Sequence, residues 1–419
     1  MGALRTTQVA LLFAGCGVPI DPARPPLRVG TSGDYAPFSQ RTPTGDDIEG
    51  LDLDVARRFA RDTGRRLEIV PFRWPELTTA LREDAFDVAM SGVTTRAERA
   101  LVGTFTRPIV DSGAVLLVRT GLASTPEDVD RQGVRLAVNR GGHLERVARR
   151  MFAQAHIETV DDNTSLPAML AVGAVDAIVC DQFEAAGWRA TVSPNARVLG
   201  PFTVDHKAYL AREPALAVEL DTWMRAREVD GTLPELRRRW LGVEAGGTRS
   251  GIESDVDALL ALIDLRLAFM PWVAAAKLVA GLPIVDPAQE EQVLATARQD
   301  ARTHGIDSRS AVALFAGLIT AARSIQTAYA ALPASSRPTV ETADLTQTLR
   351  PAIAALSRDI LQRASDVARE SATVNALPAA ALARHLDPSL TPPAERDRIA
   401  NAVRGLKPSS DRSPPPADR

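Results

Sequence analysis

The hydrophobic pattern of this 419-residue chain changes once, close to residue 243, and that change constrains the fold more than any other feature. From 27 to 242, short apolar runs of strand length alternate with amphipathic helical segments. From 252 to about 406, the apolar spacing is helical throughout. The alternation predicts an α/β domain built on a parallel sheet, and the second region predicts an all-α domain.

Local composition indicates the limits of the other predicted segments of the chain. The first 25 residues contain Arg5 and a short apolar run, which is typical of an export signal. Phe13-Ala14-Gly15-Cys16 resembles a bacterial lipobox, which implies lipidation at Cys16; a plain signal peptide is the alternative. The predicted organisation is an export signal at 1–25, an α/β domain at 26–242, a Gly-rich linker at 243–251, an all-α domain at 252–406 and a disordered tail at 407–419.

Several classes of function find no support in the sequence. The net charge is −3 and no basic run with interleaved aromatic residues occurs, so nucleic acid is not an expected partner. We find no apolar stretch of membrane-spanning length after the signal. No metal-ligand cluster, nucleophile triad or phosphate loop is recognisable, so we expect neither a metal nor a cofactor. The oligomeric state is left open.

Two cations stand in the most apolar part of the helical region. Arg266 and Lys277 are eleven residues apart, which returns almost to the same direction at about 3.6 residues per turn. We therefore place both on one face of one helix, which Pro271 is able to kink. Buried cations need partners, and a dianionic ligand inside a helical bundle would supply them. The alternative is that both side chains extend along the surface into water.

This segment and the residues after it resemble the secreted, all-helical chorismate mutases. The resemblance implies that Arg266 binds a substrate carboxylate, while Lys277 and Gln326 reach the ether oxygen. It also implies that Glu290 contacts the ring hydroxyl and that Asp286 caps the second helix. The matching positions are Arg266, Lys277, Leu282-Pro283-Ile284, Asp286-Pro287-Ala288-Gln289-Glu290, Asp300-Ala301-Arg302, Gly305-Ile306-Asp307 and Gln326.

One position departs from the pattern of that family. Gln289 stands where the family carries an arginine, so one substrate-binding cation is replaced by a neutral amide. The amide still donates hydrogen bonds, at a cost in affinity. Arg323, one turn before Gln326, or Arg350 could compensate for the lost charge.

The α/β region resembles the polar amino-acid family of periplasmic solute-binding proteins, which have two α/β lobes of the type II arrangement closing on a ligand. The resemblance implies that Arg99 holds the ligand carboxylate, with Ser91 and Thr94 beside it. Asp181 corresponds to the residue that binds a ligand ammonium. The matching strings are 33–38, 50–54, 86–99, Phe105 and 111–113.

Other strings resemble the periplasmic cyclohexadienyl dehydratases, which share that fold. These strings are 31–39, 73–77, 138–142, 162–163, 180–185 and 207–210, and they place Trp74, Asn139, Gly142 and Lys207 among the substrate contacts. The resemblance makes Glu184 the catalytic acid, because a carboxyl with a raised pKa can protonate the departing hydroxyl. The alternative is that Glu184 is an acidic residue in the first turn of a helix, where the helix dipole favours a negative charge, and has no catalytic role.

The dehydratase pattern is also broken at one place. His143 and Leu144 replace a small polar pair after Gly142, so a hydroxyl donor to the substrate carboxylate is absent or is replaced by the imidazole. Arg96 and Arg146 are interpreted as solvated surface residues. Cys180, in a strand-like run, is interpreted as a small core residue.

The two resemblances imply consecutive reactions. A mutase domain would make prephenate from chorismate, and a dehydratase domain would turn prephenate or arogenate into phenylpyruvate or phenylalanine. The alternative function is a lipid-anchored amino-acid receptor of an ABC transporter with a degenerate helical domain. A third possibility is that only one domain is active.

Overall fold

The computed structural model describes residues 19–42, 44–45, 47–122, 125–192, 195–242, 250–334, 337 and 343–410. Most of the predicted export signal, with Cys16, and the predicted linker over 243–249 lie outside the described residues. The described chain forms a two-lobed α/β unit followed by a bundle of helices.

Two five-stranded sheets form the cores of the two lobes. The first lobe has the strand order β5-β1-β6-β13-β7, and the second has β10-β9-β11-β8-β12. Strands β2, β3 and β4 form a small antiparallel sheet. The strands are β1 (Leu27–Thr31), β2 (Asp34–Tyr35), β3 (Ser39–Arg41), β4 (Ile48–Glu49), β5 (Leu67–Pro71), β6 (Val88–Ala89), β7 (Thr104–Ser112), β8 (Ala114–Val118), β9 (Arg135–Asn139), β10 (His156–Val160), β11 (Ala177–Asp181), β12 (Arg197–Leu199) and β13 (Asp205–Ala211).

The prediction of a parallel sheet is correct only in part. Strand β1 is parallel to β5 and β6, but β13 is antiparallel to β6 and β7, and β8 is antiparallel to β11 and β12. The reason is that the chain passes between the lobes twice without a helical crossover. Strand β7 continues into β8 through Gly113, and the chain returns after β12 to enter the first sheet as β13. Strand β6 has only two residues, Val88 and Ala89.

Helices cover both sheets of the α/β unit. They are α1 (Leu51–Asp62), α2 (Leu77–Arg82), α3 (Ala97–Ala100), α4 (His143–Met151), α5 (Leu166–Ala171), α6 (Gln182–Val192), α7 (Pro214–Val229) and α8 (Thr232–Leu241). Helix α1 begins after Gly50, whose φ is +139° and where a Cβ would lie 2.2 Å from the Phe38 carbonyl oxygen. Only glycine fits this position, which brings Asp52 onto the loop at Gly92.

The region after the linker is all-helical, as predicted. It contains α9 (Gly251–Ala268), α10 (Met270–Val279), α11 (Pro287–Thr303), α12 (Ser308–Ala331), a π-helical turn at Leu345–Leu349, α13 (Arg350–Arg369), α14 (Ser371–Ala376), α15 (Ala379–Ala383) and α16 (Pro393–Arg404). Ser250 caps α9 in a capping box with Glu253, so the last two residues of the predicted linker belong to this helix.

Two further expectations need correction. Arg266 and Lys277 lie on two helices, because the chain breaks at Phe269, two residues before Pro271, whose nitrogen carries no hydrogen to donate. The start of the predicted tail is ordered. Asp307 N donates to Lys407 O at 2.9 Å and Ser409 N donates to Gly305 O at 2.8 Å. Residues 411–419 lie outside the described part.

The expectation that no stretch has membrane-spanning length is also wrong. Gly251–Val279 and Ser308–Ala331 are long and apolar enough to cross a membrane, by length and composition only. Both are packed in the helical bundle. In the first, 72% of the most apolar window is buried, as is common for core helices of soluble proteins.

Helix α9 joins the two domains. Thirteen of its eighteen residues are buried, so it has protein on nearly all sides. Leu259 and Ile263 of α9 belong to one continuous apolar cluster with Leu81, Phe86 and Phe105 of the first lobe. Continuous burial of this kind makes the helical bundle and the first lobe a single packed body.

Buried charges fix the orientation at this junction. Arg107 on β7 is 3% exposed and forms ion pairs with Asp221 on α7 at 3.0 Å and with Asp255 on α9 at 3.1 Å. Arg225 pairs with Asp255 at 2.8 Å, and Arg363 on α13 pairs with Asp221 at 2.6 Å. Each carboxylate therefore receives cations from two elements, and the network crosses the domain boundary.

We predict that Arg107→Met lowers the free energy of unfolding by about 3 kcal/mol, because it leaves two buried carboxylates with one cation each. Arg61→Met is the matched control, since its pair with Asp62 is on the surface and contributes about 1 kcal/mol or less. Urea unfolding of both variants measures the difference. Equal and small effects would show that the network does not hold the domains together.

Candidate active sites

A cleft between the two lobes brings most of the predicted residues together. It is a cavity of about 60 Å³ with walls from both lobes. Ser91 and Asp181 lie behind the wall, where both are fully buried. The lining residues are Asp34, Tyr35, Trp74, Gly92, Thr94, Arg99, Asn139, Gly142, His143, Leu144, Asn163, Glu184 and Lys207.

Arg99 is a buried cation of this cleft. It is 7% exposed, its Nη1 donates to Thr94 O at 2.7 Å, and its guanidinium lies 5.2 Å from the centre of the Trp74 ring. Among the described residues, no carboxylate lies within ion-pair distance of it. Burial lowers the pKa of Arg99 to about 9, so it remains charged at neutral pH. The arrangement suits a ligand carboxylate.

Glu184 has the environment of an acid that stays protonated. It is 2% exposed, accepts from Asn163 Nδ2 at 2.6 Å and accepts from Asp181 N at 3.2 Å. Burial, and then the charge of Asp181, raise the pKa of Glu184 to about 8. Most molecules therefore carry the proton at pH 7, although Glu184 also lies in the first turn of α6.

Lys207 neutralises Asp181. Its Nζ donates to Tyr35 Oη and Thr94 Oγ1, both at 2.9 Å, and lies 3.1 Å from Asp181 Oδ2. The same carboxylate oxygen accepts from Ser112 Oγ at 2.5 Å. Asp181 is therefore closed off from the cleft by a lysine whose three donors are all used.

His143 connects the lobes. Its Nε2 lies 2.7 Å from Asp205 Oδ1 and its Nδ1 lies 3.2 Å from Arg96 Nη1. Burial lowers the pKa of His143, which favours the neutral ring. A neutral ring protonated at Nε2 donates to Asp205 and accepts from Arg96. The interpretation of Arg96 as a solvated residue is wrong, because its side chain is 15% exposed and pairs with Glu98.

Some lining residues were not singled out from the sequence as site residues. Asp34, Tyr35 and Asn163 are the polar members of this group, and all three fall inside strings that carry the dehydratase resemblance. Asn163 is the most informative of them, because it holds Glu184. Ser91, which was predicted to contact substrate, instead bonds Ser32 through its hydroxyl at 2.8 Å and supports the loop behind the cleft.

A second cavity, of about 170 Å³, lies within the helical bundle. All six residues predicted for the mutase site line it, and the two arginines considered as substitutes for the missing cation line it as well. Its polar lining is Arg266, Lys277, Asp286, Gln289, Glu290, Arg323, Gln326, Arg350 and Ser357, and its apolar wall includes Met270, Val273, Val293 and Ile353.

Arg266 is buried without a carboxylate partner among the described residues. It is 4% exposed, its Nε donates to Ser357 Oγ at 3.2 Å, and its Nη1 has no hydrogen-bond partner. Burial lowers the pKa of Arg266 to about 10, so it stays charged at neutral pH. The alternative of a solvated surface cation is therefore excluded for Arg266.

Lys277 and Gln326 complete the polar floor. Lys277 is 8% exposed, its Nζ donates to Ile284 O at 2.6 Å, and burial lowers its pKa. Among the described residues, Gln326 Oε1 is buried without a hydrogen-bond partner, and its Nε2 lies 3.5 Å from the Met270 sulfur. Unsatisfied buried groups are costly, so this arrangement favours a polar ligand.

The charges around this cavity are unbalanced. Asp286 caps α11 by accepting from Gln289 N at 3.1 Å, and Arg350 lies 3.5 Å from it. Arg323 pairs with Glu290 at 2.6 Å. The described residues of the lining include four cations and two carboxylates, which leaves two positive charges for a dianion.

Comparison with known proteins follows the same division of the chain. The family model of bacterial extracellular solute-binding proteins, family 3, matches residues 27–243. The chain belongs to this family. The model of chorismate mutase type II matches residues 249–327, so a domain of this kind follows the solute-binding domain.

Individual relatives such as the following each match about half of this chain. Cyclohexadienyl dehydratase of Pseudomonas aeruginosa is 34% identical over 222 residues, which are 51% of this chain and 82% of that protein. The L-cystine-binding protein TcyJ of Escherichia coli is 27% identical over 230 residues, 52% of this chain and 83% of that protein. The crystal structure of the ancestral amino acid-binding protein AncCDT-1, a precursor of cyclohexadienyl dehydratase, has 30% identity and a TM-score of 0.48 and covers 51% of this chain and 95% of that one.

The raised pKa of Glu184 predicts a pH-dependent stability. A carboxyl whose pKa is about 8 when folded and about 4.5 when unfolded stabilises the fold fully below pH 4.5, and this contribution is lost as the pH rises to 8. We expect the loss of unfolding free energy between pH 5 and pH 8.5 to be smaller in Glu184→Gln than in the parent chain by about 2–4 kcal/mol.

The matched control is Glu158→Gln, an exposed glutamate on β10. It should keep the pH dependence of the parent chain. Urea titrations at both pH values give the comparison. If Glu184→Gln and Glu158→Gln share one pH dependence, Glu184 is ionised at neutral pH and has no proton to give.

Proposed function

We propose that the chain catalyses two consecutive reactions. The helical cavity rearranges chorismate to prephenate, and the cleft between the lobes converts prephenate or arogenate into phenylpyruvate or phenylalanine. The observation that carries the proposal is Glu184, a buried carboxyl with a pKa of about 8. It faces a cleft lined by Arg99, which has no carboxylate partner in the described part of the chain. A protonated acid has no use in a carboxylate receptor but is required to expel hydroxide.

In the cleft, the substrate side chain would bind Arg99 through its carboxylate. The bond between the ring and its carboxylate breaks, and that electron pair enters the ring as CO2 leaves. The ring hydroxyl departs as water with the proton of Glu184, and solvent returns a proton to Glu184. Asn163 holds the acid in place through its 2.6 Å hydrogen bond. Poor solvation keeps the proton on Glu184 until it is needed.

In the helical cavity, the reaction transfers no proton. One carbon–oxygen bond of the ether breaks as one carbon–carbon bond forms, and negative charge develops on the ether oxygen. Arg266 would bind a carboxylate with its unpartnered Nη1, and Lys277 would place its remaining donors at the ether oxygen. Gln326 would donate from its amide. Cations held in a desolvated cavity stabilise developing charge without reorganising.

The receptor alternative has a specific weakness in this chain. A receptor for amino acids needs a carboxylate for the ligand ammonium, and Asp181 is the residue expected to provide it. Here Asp181 is paired with Lys207, hydrogen-bonded by Ser112 and removed from the lining. This pairing favours the dehydratase over a receptor, although binding proteins are also among the relatives.

Location and domain limits are part of the proposal. We propose that residues 1–25 direct export, because the family consists of extracellular solute-binding proteins. Lipidation at Cys16 would anchor the protein to the cell envelope. The dehydratase would occupy 26–242 and the mutase 252–406, with chorismate, prephenate and arogenate as the small-molecule substrates.

We predict that protein lacking residues 1–25 consumes chorismate and, in a separate assay, forms phenylpyruvate from supplied prephenate. Glu184→Gln should lower prephenate turnover by at least about 100-fold, because the amide has no acidic proton. Lys277→Ala should lower chorismate turnover by about 100-fold or more, because charge on the ether oxygen is left unmatched.

Each variant serves as the control for the other, since the two residues lie in different cavities. Glu184→Gln should keep the parent rate with chorismate, and Lys277→Ala the parent rate with prephenate. Absence of turnover in both assays, with a melting temperature raised by an amino acid, would support the receptor. Turnover in one assay alone would identify one active domain.

A further inference from the structure

The first turn of α11 brings no cation to the helical cavity. Gln289 lies there, its backbone N donates to Asp286, and its neutral side chain lines the cavity. A dicarboxylate is bound most strongly by charge-assisted hydrogen bonds, which an amide does not provide. A site for such a ligand therefore needs its charge from another element.

Arg323 is placed to supply that charge. It lies on α12, three residues before Gln326, so both side chains leave the same face of the helix, and both line the cavity. Its Nη2 lies 2.6 Å from Glu290 Oε2, on the residue next to Gln289. The side chain is 48% exposed, which places it towards the opening of the cavity.

We propose that Arg323 is a substrate-binding residue of the mutase cavity, supplying from α12 the positive charge that Gln289 does not bring from α11. The inference rests on the proposed mutase function. A guanidinium has five donors, so Arg323 can hold Glu290 and bind a substrate carboxylate together. Among the described lining residues, the excess of positive charge is two with Arg323 and one without it.

Steady-state kinetics with chorismate on the chain lacking residues 1–25 test the assignment. Arg323→Gln should raise KM by about 10- to 100-fold with a smaller change in kcat, because a charged hydrogen bond of about 1.5–3 kcal/mol is lost. Arg323→Lys should keep more activity than Arg323→Gln, because it keeps the charge. The double variant Gln289→Arg/Arg323→Gln moves the charge back to α11 and should return KM to within about threefold of the parent value.

Arg309→Gln is the matched control, since Arg309 is an exposed arginine near the start of α12 and outside the cavity lining. It should match the parent chain. Dehydratase activity and melting temperature should be unchanged in every variant, which separates lost binding from lost folding. Lost mutase activity in Arg323→Gln together with a lowered melting temperature would indicate a structural role and overturn the proposal.

Two further results would overturn the proposal for Arg323 without affecting the proposed mutase function. The first is that Arg323→Gln has the same KM for chorismate as Arg309→Gln. The second is that the double variant has a KM no lower than that of Arg323→Gln. A parent chain without mutase turnover would overturn the mutase function itself, and this inference with it. The parent measurement therefore distinguishes the two failures.

Discussion

The burial of helix α9 between the first lobe and the other helices is the interaction on which the rest of the structure depends. One side of α9 completes the apolar core of the first lobe, and the remainder carries Arg266 into the helical cavity. Both domains therefore need the same helix in one position. The charges at Arg107, Asp221 and Asp255 fix that position, since buried ion pairs tolerate little misalignment.

Burial has different consequences in the two cavities. In the cleft, it keeps a proton on Glu184, and Arg99 has no carboxylate partner among the described residues. In the bundle, it lowers the pKa of Arg266 only to about 10, so this arginine stays charged at neutral pH, again without a carboxylate partner in the described part of the chain. A neutral acid suits bond cleavage with proton transfer, whereas fixed cations suit a rearrangement in which only charge distribution changes. The second lobe adds the acid and His143, so the cleft is complete only when the lobes are together.

Sequence patterns and family resemblance predicted the features that depend on residues close together in the chain. The spacing of Arg266 and Lys277 predicted one face of one helix, which is wrong because the chain breaks at Phe269, although both side chains still line one cavity. The resemblance to the chorismate mutases implied that Asp286 caps the helix that begins at Pro287, and this cap is confirmed. Family resemblance added Glu184, and burial in the structure explains why its pKa suits the role proposed for it.

Contacts between distant residues could not be predicted in this way. His143 meets Arg96 and Asp205, which are 47 and 62 positions away, so its part in joining the lobes depends on how the two sheets approach each other. The same holds for Asp181, which Lys207 and Ser112 reach from other strands and which does not line the cleft. The antiparallel direction of β13 follows from the second passage between the lobes, which no local periodicity records.

In the proposed function, one chain catalyses both reactions. The most direct test supplies chorismate alone to protein lacking residues 1–25 and follows prephenate and phenylpyruvate over time by mass spectrometry. The bifunctional account predicts that phenylpyruvate forms from chorismate in the parent chain and that prephenate accumulates instead in Glu184→Gln. Chorismate that stays unconsumed by the folded chain would contradict the account.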